Sequence, residues 1–221
     1  MEFSRRTRVK RFWRECQINE TTSIIDIGGT MFFWKLARSL GLASPRRIVV
    51  VNPLIKEPRL HPTGVFMING DARDLRNFQP GEFDVAFSNS VIEHLGSWES
   101  QEKMAREVQR VAKVYWVQTP DPRFPIEPHY LAPAMHWLPR ASRHRLARWT
   151  LWGMLKNPAN DEITARIEEL RLVKASEMLK LFPDGRLIVE RFLGWPKSLI
   201  ATNAAGPAGG SSSPLMRQCR L

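Results

Sequence analysis

The chain is poor in cysteine. Cys16 and Cys219 are the only two in 221 residues, one in each tail. They offer neither a metal-ligand spacing nor a disulfide framework, so no metal site is expected and a reducing cytoplasmic setting is. Long apolar runs are missing as well: no stretch has the length of a membrane span. The first residues hold many arginines but no apolar stretch of the kind a secretory signal needs, so none is expected there. No internal repeat is visible, and no RNA-module signature appears. Carboxylates are outnumbered: 22 Asp and Glu against 33 Lys and Arg leave a net charge of +11. Such a surplus suits attraction to phosphates or to an anionic membrane surface, or reflects a plain solubility bias. What is present is globular in character, 43% hydrophobic and 25% charged, enough for one substantial core.

The stretch Thr22-Ser23-Ile24-Ile25-Asp26-Ile27-Gly28-Gly29-Thr30 organises the chain. A short apolar run carrying one carboxylate and ending on glycines is how a buried parallel strand delivers its end to a ligand. The glycines allow positive φ and leave no Cβ in the way. Met31 to Leu40 reads as a helix whose N-terminus adds a polar, close-approach site.

Similar strands recur. Arg47–Val51 ends at Asn52, Val65–Ile68 leads to Asp71 and Ala72, Phe83–Ser90 ends on Ser88-Asn89-Ser90, and Val114–Pro120 ends at Thr119. Residues 54–64 read as loop and Glu99–Ala112 as an amphipathic helix. Ala175–Phe182 is a further helix, and Arg186–Phe192 with Ser198–Ala201 form an antiparallel hairpin around Gly194-Trp195-Pro196. Strands alternating with helices predict an α/β fold. It is a Rossmann-like, doubly wound sheet of seven mostly parallel strands, closed by the C-terminal antiparallel hairpin. Ligands then bind beyond the carboxyl ends of the strands, where five polar ends line up.

Residues 1–20 are expected as a basic helix or arm and 21–202 as the main domain. Within it, 121–160 break the alternation with prolines, tryptophans and arginines. They read as a helical flap that covers the substrate, touches a phosphate-bearing partner or lies on a membrane. Residues 203–221 read as a disordered tail.

These motifs resemble those of the class I S-adenosylmethionine-dependent methyltransferases. Ile24-Ile25-Asp26-Ile27-Gly28-Gly29 is similar to the family's first motif, and Gly70-Asp71-Ala72 to its acidic motif. Phe83 through Leu95 is the most specific match, and Tyr115–Pro120 with Phe124–His129 resembles a bacterial subgroup of unnamed substrate. The resemblance implies S-adenosylmethionine as cofactor. Asp26, Gly28, Gly29 and Thr30 would border its methionine part, Asn52 its ribose, Asp71 and Ala72 its adenine, with Asn89 and Ser90 on the path to the sulfonium. The acceptor would be an O or N atom of a small molecule or a lipid or sugar intermediate. His94 and His129 are the candidate bases, with Glu127 as orienter or base. The first motif departs from the usual alternating glycines: here two are adjacent, followed by Thr30 and Phe32.

Two other classes fit parts of the pattern. A nicotinamide-dependent oxidoreductase shares the strand–glycine–helix logic but lacks G-x-G-x-x-G, with Phe33 where a glycine belongs. A non-catalytic methyltransferase-fold protein would use the basic face for a partner. Nucleic acid is not the expected acceptor, since no target-base motif is present.

Overall fold

The computed structural model describes residues 2–127 and 132–206. Ten strands are described: β1 Ser23–Ile27, β2 Arg47–Val51, β3 Arg59–Leu60, β4 Val65–Ile68, β5 Phe83–Asn89, β6 Ala112–Pro120, β7 Ile126–Glu127, β8 Ala132–Pro133, β9 Arg186–Phe192 and β10 Trp195–Thr202. Seven α-helices accompany them: α1 Glu2–Glu15, α2 Met31–Ser39, α3 Trp98–Val111, α4 Arg140–Ala147, α5 Leu151–Lys156, α6 Asn160–Glu169 and α7 Ala175–Leu181.

Eight strands form one sheet in the order β3-β4-β2-β1-β5-β6-β10-β9. The inner five, from β4 to β6, run parallel; β10 pairs antiparallel with both β6 and β9. The doubly wound architecture with a closing hairpin is therefore present. The sheet gains one edge strand beyond the seven expected, because two residues of the 54–64 loop turn back antiparallel onto β4. β10 also begins at Trp195 rather than after the turn residues: Pro196 is held in the ladder, and the register shift falls between Pro196 and Ser198.

Alternation along the strands builds two cores. Ile25, Ile27, Val49, Val51, Tyr115 and Val117 face the α3–α7 layer. Ile24, Val50, Phe87 and Trp116 face α1 and α2. The basic N-terminal segment is thus no loose arm: α1 inserts Val9, Phe12 and Trp13 into that second core. Phe12 lies 4.5 Å from Phe87 and 5.7 Å from Trp116, ring centre to ring centre. Burying each such ring contributes about 2 kcal/mol. Segment 121–169 carries its own small core, in which Ala132, Met135, Ala147, Ile163 and Ile167 pack together.

Candidate active site

Because β4, β2, β1, β5 and β6 are parallel neighbours, their carboxyl ends share one edge. Asp26, Asn52, Asp71, Asn89 and Thr119 all stand at or just past it.

Asp26 is fully buried. Its Oδ2 accepts a bond of 2.8 Å from the Trp34 indole N–H, one turn into α2. Its Oδ1 has no hydrogen-bond partner. Burial pushes the carboxyl up to about 7, with the Trp34 bond working against the rise. Gly29 lies directly on this carboxylate, and a Cβ there would collide with it. Gly28 has φ +76°, and a Cβ would stand 2.5 Å from a Val91 methyl. Both glycines are therefore required by their surroundings. Thr30 is exposed at the N-terminus of α2, its side chain making no capping bond.

Asn52 serves the same turn. Its amide donates to Gly28 O at 3.1 Å and Gly29 O at 2.9 Å, and its oxygen accepts from Leu54 N at 2.9 Å. Asp71 is exposed and clasps Arg73 through both oxygens, with contacts from 2.5 to 3.0 Å. The Arg73 side-chain bonds hold this carboxyl below the ordinary range despite some burial. The neighbouring Ala72 side chain sits in the core.

At the end of β5, Asn89 Oδ1 accepts from Arg8 at 2.9 Å. Arg8 is itself paired with Glu190 and donates to Ser198 Oγ. Ser90 has φ +57°, the left-handed region that a serine enters at a cost. Gln118 holds it there: Ser90 N donates to Gln118 O and Ser90 Oγ to Gln118 Oε1, both at 3.0 Å. Thr119 is buried and donates to Glu93 Oε2 at 3.0 Å.

His94 stands on a 3-10 turn, Ile92–Leu95, and is exposed. It lines a cleft of about 570 Å³ together with Trp152, Lys156, Glu162 and Arg166 of the insertion. His129 and the Glu127 side chain lie outside the described residues, although Glu127 itself ends β7. A second cleft, of about 770 Å³, opens where β6 hands over to the insertion, lined by Asp121, Pro122, His136, Trp137, Arg143 and Leu172 among others. His136 Nε2 bonds the Pro122 carbonyl at 2.9 Å, so that nitrogen carries the proton and Nδ1 is the free lone pair in the neutral ring. That Nδ1 and Arg143 Nε are both buried without partners. Sequence reasoning missed Trp34, Arg8, Gln118 and His136, and gave Arg143 only as one of the insertion's basic residues. Only Arg73, two residues from Asp71, had a local signal.

Residues 43–114 match the family of methyltransferase domains. The match spans about a third of the chain and is to methyltransferase domains as a class. The chain also resembles solved structures across nearly its whole length. Magnesium protoporphyrin IX methyltransferase from Synechocystis PCC 6803, solved with bound S-adenosylhomocysteine, is 10% identical at TM-score 0.52, over 90% of this chain and 81% of that one. An S-adenosylmethionine-dependent methyltransferase from Mesorhizobium loti is 16% identical at TM-score 0.51, over 87% and 96%. A structure described as a putative zinc-dependent alcohol dehydrogenase from Rhodobacter sphaeroides is 13% identical at TM-score 0.55, over 87% of each chain. At these identities the likeness speaks for the fold alone. No curated protein matches the sequence. Among the described residues no cluster of His, Cys, Asp or Glu could hold a metal ion, and no helix is long and apolar enough to cross a membrane.

Proposed function

We propose that this protein is an S-adenosylmethionine-dependent methyltransferase that moves a methyl group to an oxygen or nitrogen of a small molecule or of a lipid or sugar intermediate. The observation that carries the reading is Asp26 Oδ1, a buried acceptor without a donor beside a turn that tolerates only glycine. Such a group calls for an explanation, and a cationic amine is the donor a carboxylate suits best. The residues present therefore fit a ligand bearing an ammonium group. When bound, S-adenosylmethionine supplies the activated methyl, so the protein's part is chiefly positioning.

In this reading Asp26, Gly28, Gly29 and Thr30 seat the amino-acid end, and Asn52 acts by fixing the glycine turn. Asp71 keeps a charged carboxylate ready for an adenine amino group, beside Ala72. Ser90, held in its left-handed conformation by Gln118, and Asn89, held by Arg8, border the transfer path. His94, with His129 and Glu127, takes the acceptor's proton. The cleft of about 570 Å³ that His94 lines with Trp152 and Lys156 offers room for the acceptor.

Calorimetric titration of S-adenosylhomocysteine tests the proposal. Wild type should bind in the micromolar range, and Asp71→Ala should weaken binding at least about tenfold with its thermal transition unchanged. A well-folded wild type that does not bind would overturn it.

A further inference from the structure

Segment 121–169 buries one side of its helices and turns the other outward. The inner side is locked at the corner between α4 and α5. Ala147 is fully buried, and a Cβ on Gly153 would strike the Ala147 carbonyl. Thr150 Oγ1 donates to Ala147 O at 2.6 Å and accepts from Gly153 N at 3.1 Å. Trp152 packs on the same small core and carries Arg166 over its ring at 4.3 Å. With that side fixed, the residues between must face out. Trp149 is 79% exposed, Met154 67% and Leu155 71%, and Leu146 and Leu151 are exposed beside them. Five large apolar side chains within ten positions exceed the scattered exposure of an ordinary surface.

A second apolar projection leaves the same sheet edge. Ser198 of β10 pairs with Pro120, the last residue of β6, so the β9–β10 turn runs past that strand end. Its tip exposes Phe192, Leu193 and Trp195, with Leu193 held at φ +48°.

Charge tells what covers these surfaces. Between Glu127 and Asp161 the sequence has no carboxylate and five bases: Arg140, Arg143, Arg145, Arg148 and Lys156. Arg145, Arg148 and Lys156 are exposed next to the apolar side chains. Exposed Trp, Leu and Met flanked by Arg and Lys are the composition of a surface that lies in a lipid headgroup layer. A second copy of this chain would bring Arg145, Arg148 and Lys156 against the same three charges and is disfavoured by them.

We propose that the α4–α5 corner docks this protein onto an anionic phospholipid surface, with the β9–β10 turn at the end of β6 as a second apolar contact. The site edge of the domain then faces the membrane.

Co-sedimentation with vesicles tests this. Wild type should bind vesicles of one part phosphatidylglycerol to three parts phosphatidylcholine, and bind pure phosphatidylcholine at least about tenfold more weakly. The double variant Met154→Ser, Leu155→Ser should lose at least about tenfold in binding to the anionic vesicles. Arg145→Gln with Arg148→Gln should lose several-fold and serves if the first variant folds poorly. Leu193→Ser probes the second projection and should also weaken binding. Absence of wild-type binding overturns the proposal. So does binding that the apolar substitutions leave unchanged, which would be attraction by net charge alone. A wild-type dimer in sedimentation velocity that Met154→Ser, Leu155→Ser dissolves, without vesicle binding, would assign the face to self-association instead. Titration of S-adenosylhomocysteine on the same samples separates this question from methyl transfer, since none of these residues touches the proposed cofactor seat.

Discussion

Asp26 links stability to pH in the direction opposite to that of a salt-bridged carboxylate. Burial raises its carboxyl to about 7 from an ordinary 3.8. In the unfolded chain it ionises near the ordinary value. Between the two, the folded protein keeps a proton that the unfolded chain has released. Stability therefore falls as pH rises through this window and is lowest above the folded-state value. The gap corresponds to about 4 kcal/mol, at 1.36 kcal/mol for each pH unit. Asp26→Asn removes the charge and keeps an oxygen for the Trp34 N–H. It also puts an amide N–H where no acceptor stands, which costs about 1–3 kcal/mol. The variant should thus be more stable than wild type at about pH 8, by roughly 1–3 kcal/mol, and less stable at about pH 4.5. Urea melts of both proteins at several pH values measure this, and their difference isolates Asp26 from every other titrating group. A difference that stays flat over that range would refute the reasoning. Saturating S-adenosylhomocysteine adds a further check: an ammonium at Oδ1 favours the ionised carboxylate and should flatten the wild-type slope.

Two other substitutions probe the same edge. Gly28→Ala places a Cβ 2.5 Å from a Val91 methyl at a φ of +76°, so the thermal midpoint should drop by an amount equivalent to about 1–3 kcal/mol and cofactor binding should fall with it. Arg8→Met leaves Glu190 without its partner in a site where both side chains are largely covered. Chemical denaturation should show a loss of about 3 kcal/mol, and adding Glu190→Gln should recover part of it.

The sheet was legible because its signal is local. Runs such as Ile24–Ile27 and Val49–Val51 are buried on both faces, and parallel strands between helices read that way whatever their partners. The shared edge followed from the same pattern. Hydrogen-bond partners did not, because an amide or carboxylate at a strand end can serve a ligand or the backbone equally well. Asn52 was read as a ribose contact and spends its amide on the glycine turn. Arg8 is 81 positions from Asn89, and no spacing rule connects a helix at the start of the chain to the fifth strand. Residues 121–160 gave only composition, since prolines and tryptophans mark an insertion without fixing its helices. The helical insertion runs on to Glu169, past the boundary that composition suggested.

Asn52 and Asp71 are both engaged, and the difference between their engagements decides how each can act. Asn52 is buried, and its amide is the donor to two carbonyls of the turn. Rotating it toward a ligand would strip those carbonyls of their donor, at about 1–3 kcal/mol for each group left unsatisfied in the interior. A single hydrogen bond to a ribose hydroxyl nets only about 1 kcal/mol, so the exchange is unfavourable. On the proposed reading Asn52 therefore shapes the seat and does not reach into it. Asp71 is in the opposite position. Its pair with Arg73 is exposed and contributes at most about 1 kcal/mol, and both oxygens keep lone pairs open to a further donor. An amino group can add to Asp71, or displace Arg73, at little cost. On the proposed reading, the discrimination of a nucleoside thus rests on the exposed acid, while the buried amide holds the turn on which the other end of the ligand is placed.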